Sequence, residues 1–163
     1  MPTWLVILAA TPVALLILAL GVGQLGLLRG KAPTYLGLQD GRLAAPSRNP
    51  NSVSSQATLW PNHPQSRNAH IAPLPLVGDG TATMARIQAI VLAMPGTAVV
   101  KAEEGYLYAT FSSRLMKFSD DVELWLDAPH GVVQVRSASR LGRNDLGVNR
   151  ARIEAIRAQL TPR

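Results

Sequence analysis

Apolar and polar positions divide the chain into an apolar start, an irregular middle and a patterned C-terminal half. Residues 4–28 carry no charge and consist mostly of leucine, valine, isoleucine and alanine. At about 1.5 Å per residue, a helix of this length covers the roughly 30 Å hydrocarbon core of a bilayer. The pattern therefore predicts one transmembrane helix, with residues 1–30 as a membrane anchor.

The anchor is expected to be retained, because the sequence lacks the basic start and the small-residue cleavage site of a signal peptide. This predicts a single-pass protein of the cell (inner) membrane that contacts the lipid bilayer through residues 4–28. The side of the membrane stays open. Arg29, Lys31, Arg42 and Arg48 follow the span and favour a cytoplasmic domain, whereas a single N-terminal anchor in a bacterial protein favours display outside.

Residues 31–80 are rich in proline, serine and asparagine, a composition that prevents any long helix. We predict a tether and extended loop here. A segment of this length is unusual as a purely disordered linker inside a small protein. Residues 53–56 and 71–76 are therefore expected to lie extended against the folded domain.

Residues 81–163 carry the periodic patterns of an α+β domain. Thr81 is a plausible N-cap for an amphipathic helix that ends at Pro95. A second helix is predicted over residues 146–160, with Asp145 or Asn149 as its cap. Four strands lie between the two helices, so we expect a four-stranded antiparallel sheet flanked by two helices on one face and preceded by the transmembrane helix.

The turns set the expected strand register. A two-residue loop at Glu104-Gly105 places Lys101 opposite Tyr108 and Val99 opposite Thr110, with Val100 facing inward. A second hairpin is predicted to turn at residues 128–131. It pairs Asp127 with Val132, Trp125 with Gln134 and Glu123 with Arg136, and its inward side chains are Val122, Leu124, Leu126, Val133 and Val135.

The net charge of +6 comes mainly from arginine and is diluted by ten acidic residues. With few aromatic residues beside the basic ones, no nucleic-acid partner is expected. The absence of cysteine excludes disulfides and thiolate metal sites. The three histidines lie scattered in predicted loops without ligand spacing, so we expect no metal, no cofactor and no catalytic residue.

The last thirty residues hold the strongest functional signal, because residues 136–157 contain six arginines and only two acids. Guanidinium groups beside a helix N-terminus form an arrangement that binds anions. Asp121, Glu123 and Glu154 cannot neutralise every arginine, so at least one guanidinium is left over. We therefore expect a membrane-anchored, non-enzymatic binding domain for an anionic ligand or protein partner, with the candidate residues Arg136, Arg140, Arg143, Asp145, Asn149 and Arg150.

Three alternatives remain open. The same arginines and amides can simply tie the loop to the helix as structural hydrogen bonds. They can also clamp a phosphorylated or carboxylated substrate for an enzyme that uses Asp121 or Glu123 as base, and an enclosed pocket favours this role. An assembly subunit of a membrane complex instead requires an exposed apolar patch on the free face of the sheet.

Three sequence blocks resemble a known family. They are Asn51-Ser-Val-Ser-Ser-Gln-Ala57, Phe118-Ser-Asp-Asp-Val-Glu123 and the long block from Arg136 to Arg150. Together they are similar to domain of unknown function 1499, a family of bacteria and plant plastids, over about residues 48–160. The resemblance implies no catalytic residues. Relatives usually carry cysteine where this chain has Ser52, so any thiol chemistry of relatives is absent here.

Overall fold

The computed structural model describes residues 2–161, apart from the side chains of residues 5–7 and 9. Its order of helices and strands is α1 (Thr3–Gln24), β1 (Ser52–Ser54), β2 (Leu74–Pro75), α2 (Gly80–Ala93), β3 (Thr97–Glu103), β4 (Tyr106–Ser112), β5 (Ser119–Asp127), β6 (Val132–Ser139) and α3 (Val148–Leu160).

The sheet has six antiparallel strands, and the prediction of four was wrong. The strand order is β1-β6-β5-β4-β3, and β2 also pairs with β6. The two additional strands come from the stretches expected to lie extended, since Ser52–Ser54 and Leu74–Pro75 pair with the two ends of β6. Both are too short to produce a recognisable alternation, so a pattern analysis counts them as loop.

Helices α2 and α3 pack side by side on one face of the sheet and enclose the core. The fully buried side chains of Ile87 and Val91 from α2 and of Ile153 and Ile156 from α3 belong to the same cluster as the inward residues of the strands. Asp79, and not Thr81, caps α2, because its carboxylate accepts a hydrogen bond of 2.7 Å from the amide of Ala82.

The predicted transmembrane anchor is contradicted. Among the residues that the structure describes, none of the helices combines the length and the apolarity needed to cross a bilayer. The prediction of a single-pass protein of the inner membrane depended on this helix and is therefore also wrong.

The register of the β3–β4 hairpin was predicted correctly only beside the turn. Lys101 lies opposite Tyr108 as expected, but a β-bulge between Val99 and Lys101 shifts the remaining pairs by one residue. Val99 consequently packs against the core, whereas the side chain of Val100 is 57% exposed. The sequence does not reveal this bulge, because both positions are valine.

The register of the β5–β6 hairpin is confirmed. Asp127 pairs with Val132, Trp125 with Gln134 and Glu123 with Arg136. Strand β5 is nevertheless buried on both faces over most of its length. On the face away from the helices, residues 35–45 cover β5 and β6: the amide of Gly37 donates to Glu123 on β5, and the carbonyl of Ala45 accepts from Arg136 on β6. The outward side chains of β5 and β6 are therefore inside the protein.

The bulge can be tested by truncating the two valines separately. We expect Val99→Ala to lower the free energy of unfolding by about 1 to 2 kcal/mol, because it removes methyl groups packed on the core. Val100→Ala serves as the matched control and should cost less than about 0.5 kcal/mol, as for an exposed side chain. Urea denaturation of both variants measures the difference, and a larger loss for Val100→Ala would contradict the bulge.

Candidate functional site

Three carboxylates on β5 form ion pairs with arginines of the last thirty residues. Strand geometry sends alternate side chains to opposite faces, so the pairs are divided between the two sides of the sheet. The pairs and their closest N–O distances are Glu123 with Arg136 at 3.4 Å, Asp121 with Arg140 at 2.7 Å, and Asp120 with Arg152 at 2.6 Å.

The Glu123–Arg136 pair is the most deeply buried, with side chains 0% and 2% exposed. Glu123 Oε1 accepts hydrogen bonds from the amide of Gly37 at 2.7 Å and from the hydroxyl of Tyr106 at 2.8 Å. Arg136 Nε donates to the carbonyl of Ala45 at 3.1 Å. These extra bonds offset the desolvation of both charges and attach residues 37–45 to the sheet.

The Asp121–Arg140 pair is bidentate. Arg140 Nε lies 2.9 Å from Asp121 Oδ2, and Arg140 Nη2 lies 2.7 Å from Oδ1. The hydroxyl of Tyr108 donates to the same carboxylate at 2.6 Å. Hydrogen bonding to Asp121 raises the pKa of Arg140. Burial, together with the hydrogen bond to Asp121, raises the pKa of Tyr108 to about 12.

The Asp120–Arg152 pair lies on the opposite face, beneath α3. Arg152 Nη2 donates to Asp120, while Nη1 donates to Asn149 Oδ1 at 2.7 Å and to Ser137 Oγ at 3.0 Å. The guanidinium carbon is 4.6 Å from the centre of the Phe111 ring, a cation–π distance. Arg152 therefore joins the start of α3 to β5 and β6.

The carboxylate of Asp145 binds the backbone amides at the start of α3. Its carboxylate accepts hydrogen bonds from the amide of Gly147 at 3.1 Å and from the amide of Asn149 at 2.8 Å. The Asn149 side chain is buried and donates to the carbonyl of Asn51. An internal carboxylate thus stands where the sequence predicts a ligand anion. The N-cap residue of α3 is Gly147, and neither suggested cap, Asp145 or Asn149, occupies that position; Asp145 reaches the amides from two residues earlier.

The structure does not bring the six predicted ligand-binding residues to one point. Arg136 and Arg140 pair on the outer face of the sheet, whereas Asp145 and Asn149 lie at the start of α3. Arg150 donates to the carbonyls of two loop residues, Asn68 at 3.0 Å and His70 at 2.9 Å. Arg143 is exposed and makes no ion pair within residues 2–161.

A cavity of about 490 Å³ opens beside the Asp120–Arg152 pair, between the loop that joins β4 to β5 and the loop that joins β6 to α3. This volume falls within the range of about 300 to 1,000 Å³ typical of ligand pockets. Its wall is mainly apolar. The apolar side chains that line it are Met94, Pro95, Phe111, Phe118, Leu141, Leu146 and Val148.

Charged groups lie both in the wall of the cavity and around it. Asp120 and Arg152 line it as an ion pair that is almost buried. Three further cations are sequence neighbours of lining residues, and none of them forms a salt bridge among the described residues. They are Arg114 after Ser113, Lys117 before Phe118, and Arg143 between Gly142 and Asn144.

Of the six predicted ligand-binding residues, only Asp145 lines this cavity, and Arg143 is a sequence neighbour of two lining residues. Arg152 is not among the six predicted residues, although its spacing of three residues from Asn149 places both side chains on the same face of α3. Phe118 and Leu141 stand alone in their loops and belong to no periodic pattern. A usable signal was the presence of isolated large apolar residues in two loops that flank the same hairpin.

The fold and these ion pairs define the protein's structural class. It is an α+β domain with a six-stranded antiparallel sheet, two helices on one face of the sheet, and arginine–carboxylate pairs on both faces. The family described as protein of unknown function (DUF1499) matches residues 42–160. The chain belongs to this family, as its sequence blocks indicated. Neither a curated protein nor a solved structure matches the chain.

Breaking the buried Glu123–Arg136 pair should strongly destabilise the folded protein. We expect Glu123→Gln to lower the free energy of unfolding by about 3 to 5 kcal/mol, because it leaves the Arg136 guanidinium buried without a counter-charge. Glu154→Gln removes a carboxylate from the exposed pair with Arg157 and should cost less than about 1 kcal/mol. Equal costs in urea denaturation would show that the buried pair does not organise the fold.

Because the pKa of Tyr108 is raised in the folded protein, we expect the protein to lose stability at alkaline pH. Since folding raises its pKa from 10.0 to about 12, its contribution is complete below pH 10 and is lost as the pH rises through 12. Tyr108→Phe should be less stable at neutral pH, because the hydrogen bond to Asp121 is gone. Its melting temperature should also fall less steeply than that of the wild type between about pH 10 and pH 12. Parallel slopes would rule out this role.

Proposed function

We propose that this protein is a non-enzymatic binding domain for a small amphipathic anion. The apolar body of the ligand occupies the 490 Å³ cavity, and its anionic head, a carboxylate or a phosphate, contacts cations at the rim. The observation that supports the proposal is that three cations without a salt bridge among the described residues, Arg114, Lys117 and Arg143, are direct sequence neighbours of residues that line an apolar cavity.

The apolar part of the proposal rests on side chains that remain exposed at the cavity. Phe118 and Leu141 are each 41% exposed, and Leu146 is 93% exposed. Exposing such side chains costs free energy that a ligand with an apolar body would recover on binding. Leu146 also adopts a backbone φ of 52°, a conformation unfavourable for a leucine and often found at functional sites.

The anionic part rests on the local balance of charge. The two loops, residues 113–118 and 140–147, contain four cations and one acidic residue, Asp145, whose carboxylate accepts hydrogen bonds from backbone amides at the start of α3. Only one of these cations, Arg140, is neutralised by an acid, because it pairs with Asp121. The other three remain available to a ligand, and a cation at the mouth of a low-dielectric cavity attracts an anionic head more strongly than an isolated surface cation.

The cavity offers less to a catalytic role. Among the described residues that line it, none is a histidine or a lysine, and both carboxylates are hydrogen-bonded within the protein. Asp121 and Glu123, the alternative candidates for a general base, are 1% and 0% exposed. A general base must reach the proton that it removes, and these carboxylates are turned towards their arginines.

The charge contribution can be measured by calorimetric titration of the full chain with dodecanoate, dodecyl phosphate and the neutral dodecanol. We expect both anions to bind more tightly than the alcohol, and their relative affinity identifies the preferred head group. Arg143→Glu should weaken anion binding about fivefold or more, since a rim cation becomes an acid. Arg42→Glu is the matched control, because Arg42 is exposed and lies with Trp125 and Gln134 around a different hollow, away from both loops.

A second pair of variants locates the apolar part of the ligand. Val148→Gln changes a side chain that lines the cavity, while Ala151→Gln places the same polar group on an exposed position of the same helical turn. The first should weaken binding and the second should not. The proposal is wrong if the wild type binds neither anion, or if the variants and their controls bind equally.

A further inference from the structure

The end of α1 contacts one of the two loops that form the cavity. Gln24 Nε2 donates to the carbonyl of Leu115 at 2.8 Å. Gly23 is buried, and a Cβ atom placed on it would lie 2.8 Å from the Cα and 2.9 Å from the carbonyl oxygen of Met116. Only glycine allows the helix to approach the loop backbone this closely.

The segment that follows α1 contacts the other loop. Gly30 adopts a φ of 67°, and a Cβ atom on it would lie 2.8 Å from Cβ of Arg140 and 3.1 Å from Cγ of Leu141. Leu141 lines the cavity. The eight residues from Gly23 to Gly30 therefore touch both loops, one at each end of the segment.

Both loops contain a residue in an unfavourable backbone conformation. Lys117 in the first loop has a φ of 57°, and Leu146 in the second has a φ of 52°. Conformations of this kind persist only where surrounding contacts enforce them. The end of α1 contacts the first loop next to Lys117, and Gly30 contacts the second loop at Arg140 and Leu141, while the amide of Leu146 itself donates to Asn144 Oδ1.

We infer that the last turn of α1 and the segment up to Gly30 position the two cavity loops and so couple α1 to ligand binding. Gly23 and Gln24 act as positioning residues, because they touch the loops and not the cavity itself. Coupling is reciprocal: a ligand that holds the loops in place also strengthens the attachment of α1. This inference rests on the cavity being the ligand site proposed above.

The test compares two glycines of the same helix. Gly23→Ala forces the loop backbone at Met116 to move, whereas Gly21→Ala meets no atom within 4 Å. With dodecanoate as the probe and the full chain in both cases, Gly23→Ala should bind about tenfold more weakly, and Gly21→Ala should match the wild type. Gln24→Leu, which removes the hydrogen bond and keeps the helix, should weaken binding in the same direction.

Hydrogen exchange separates positioning from a general loss of stability. In the absence of probe, Gly23→Ala should raise amide exchange within residues 113–118 and leave β5 and β6 protected. In the wild type, dodecanoate should slow exchange at residues 25–29, which lie outside the cavity lining. A purely structural contact would not produce this second effect.

The outcomes distinguish the two proposals. If the wild type binds the probe and Gly23→Ala and Gln24→Leu bind it equally well, the coupling is refuted while the binding function stands. If the wild type does not bind the probe, the proposed function fails. The exchange of residues 113–118 in Gly23→Ala without probe then still decides whether α1 positions the loop.

Discussion

The pairing of three β5 carboxylates with three arginines from the C-terminal block is the constraint on which the rest of the structure depends. Two of these arginines join β5 to β6 or to the residue that follows it, and the third joins β5 to α3. Arg136 lies on β6 and also holds the segment around Ala45, Arg140 fixes the end of β6, and Arg152 fixes the start of α3. A shift of any of these elements would leave a buried charge without its partner, and this would strongly destabilise the folded state. The pairs therefore define one arrangement of the elements around the hairpin.

This arrangement explains why the arginine-rich block does not form a single anion site. Pairing with β5 neutralises the charge of three arginines, and Asp145 takes the amides at the start of α3. Arg150 donates to loop carbonyls, and three cations in the two loops beyond the ends of the strands, Arg114, Lys117 and Arg143, form no salt bridge among the described residues. The same loops carry the exposed apolar side chains. Apolar side chains of both loops line the cavity, and the three cations are their neighbours in sequence, which is the basis of the proposed binding site.

The sequence predicted the β5–β6 hairpin well, because alternation of apolar side chains and a turn at Pro129-His130-Gly131 both specify the same register. It predicted the pairing of Glu123 with Arg136 for the same reason. It placed that pair on a solvent-exposed face, however, since no local pattern reveals that residues 35–45 fold back over the sheet. The bulge at Val100 and the short strands β1 and β2 were missed because each depends on contacts between distant parts of the chain.

The cavity illustrates the limit of pattern analysis, because loops without periodicity form it. Binding of an amphipathic anion in the cavity is tested most directly by a map of backbone amide shifts in an NMR titration of the full chain with dodecanoate. We expect the shifts to concentrate in residues 112–118 and 139–148, with smaller changes at the end of α1. Shifts confined to residues 10–20 of α1, or centred on Arg136 and Arg150, would contradict it.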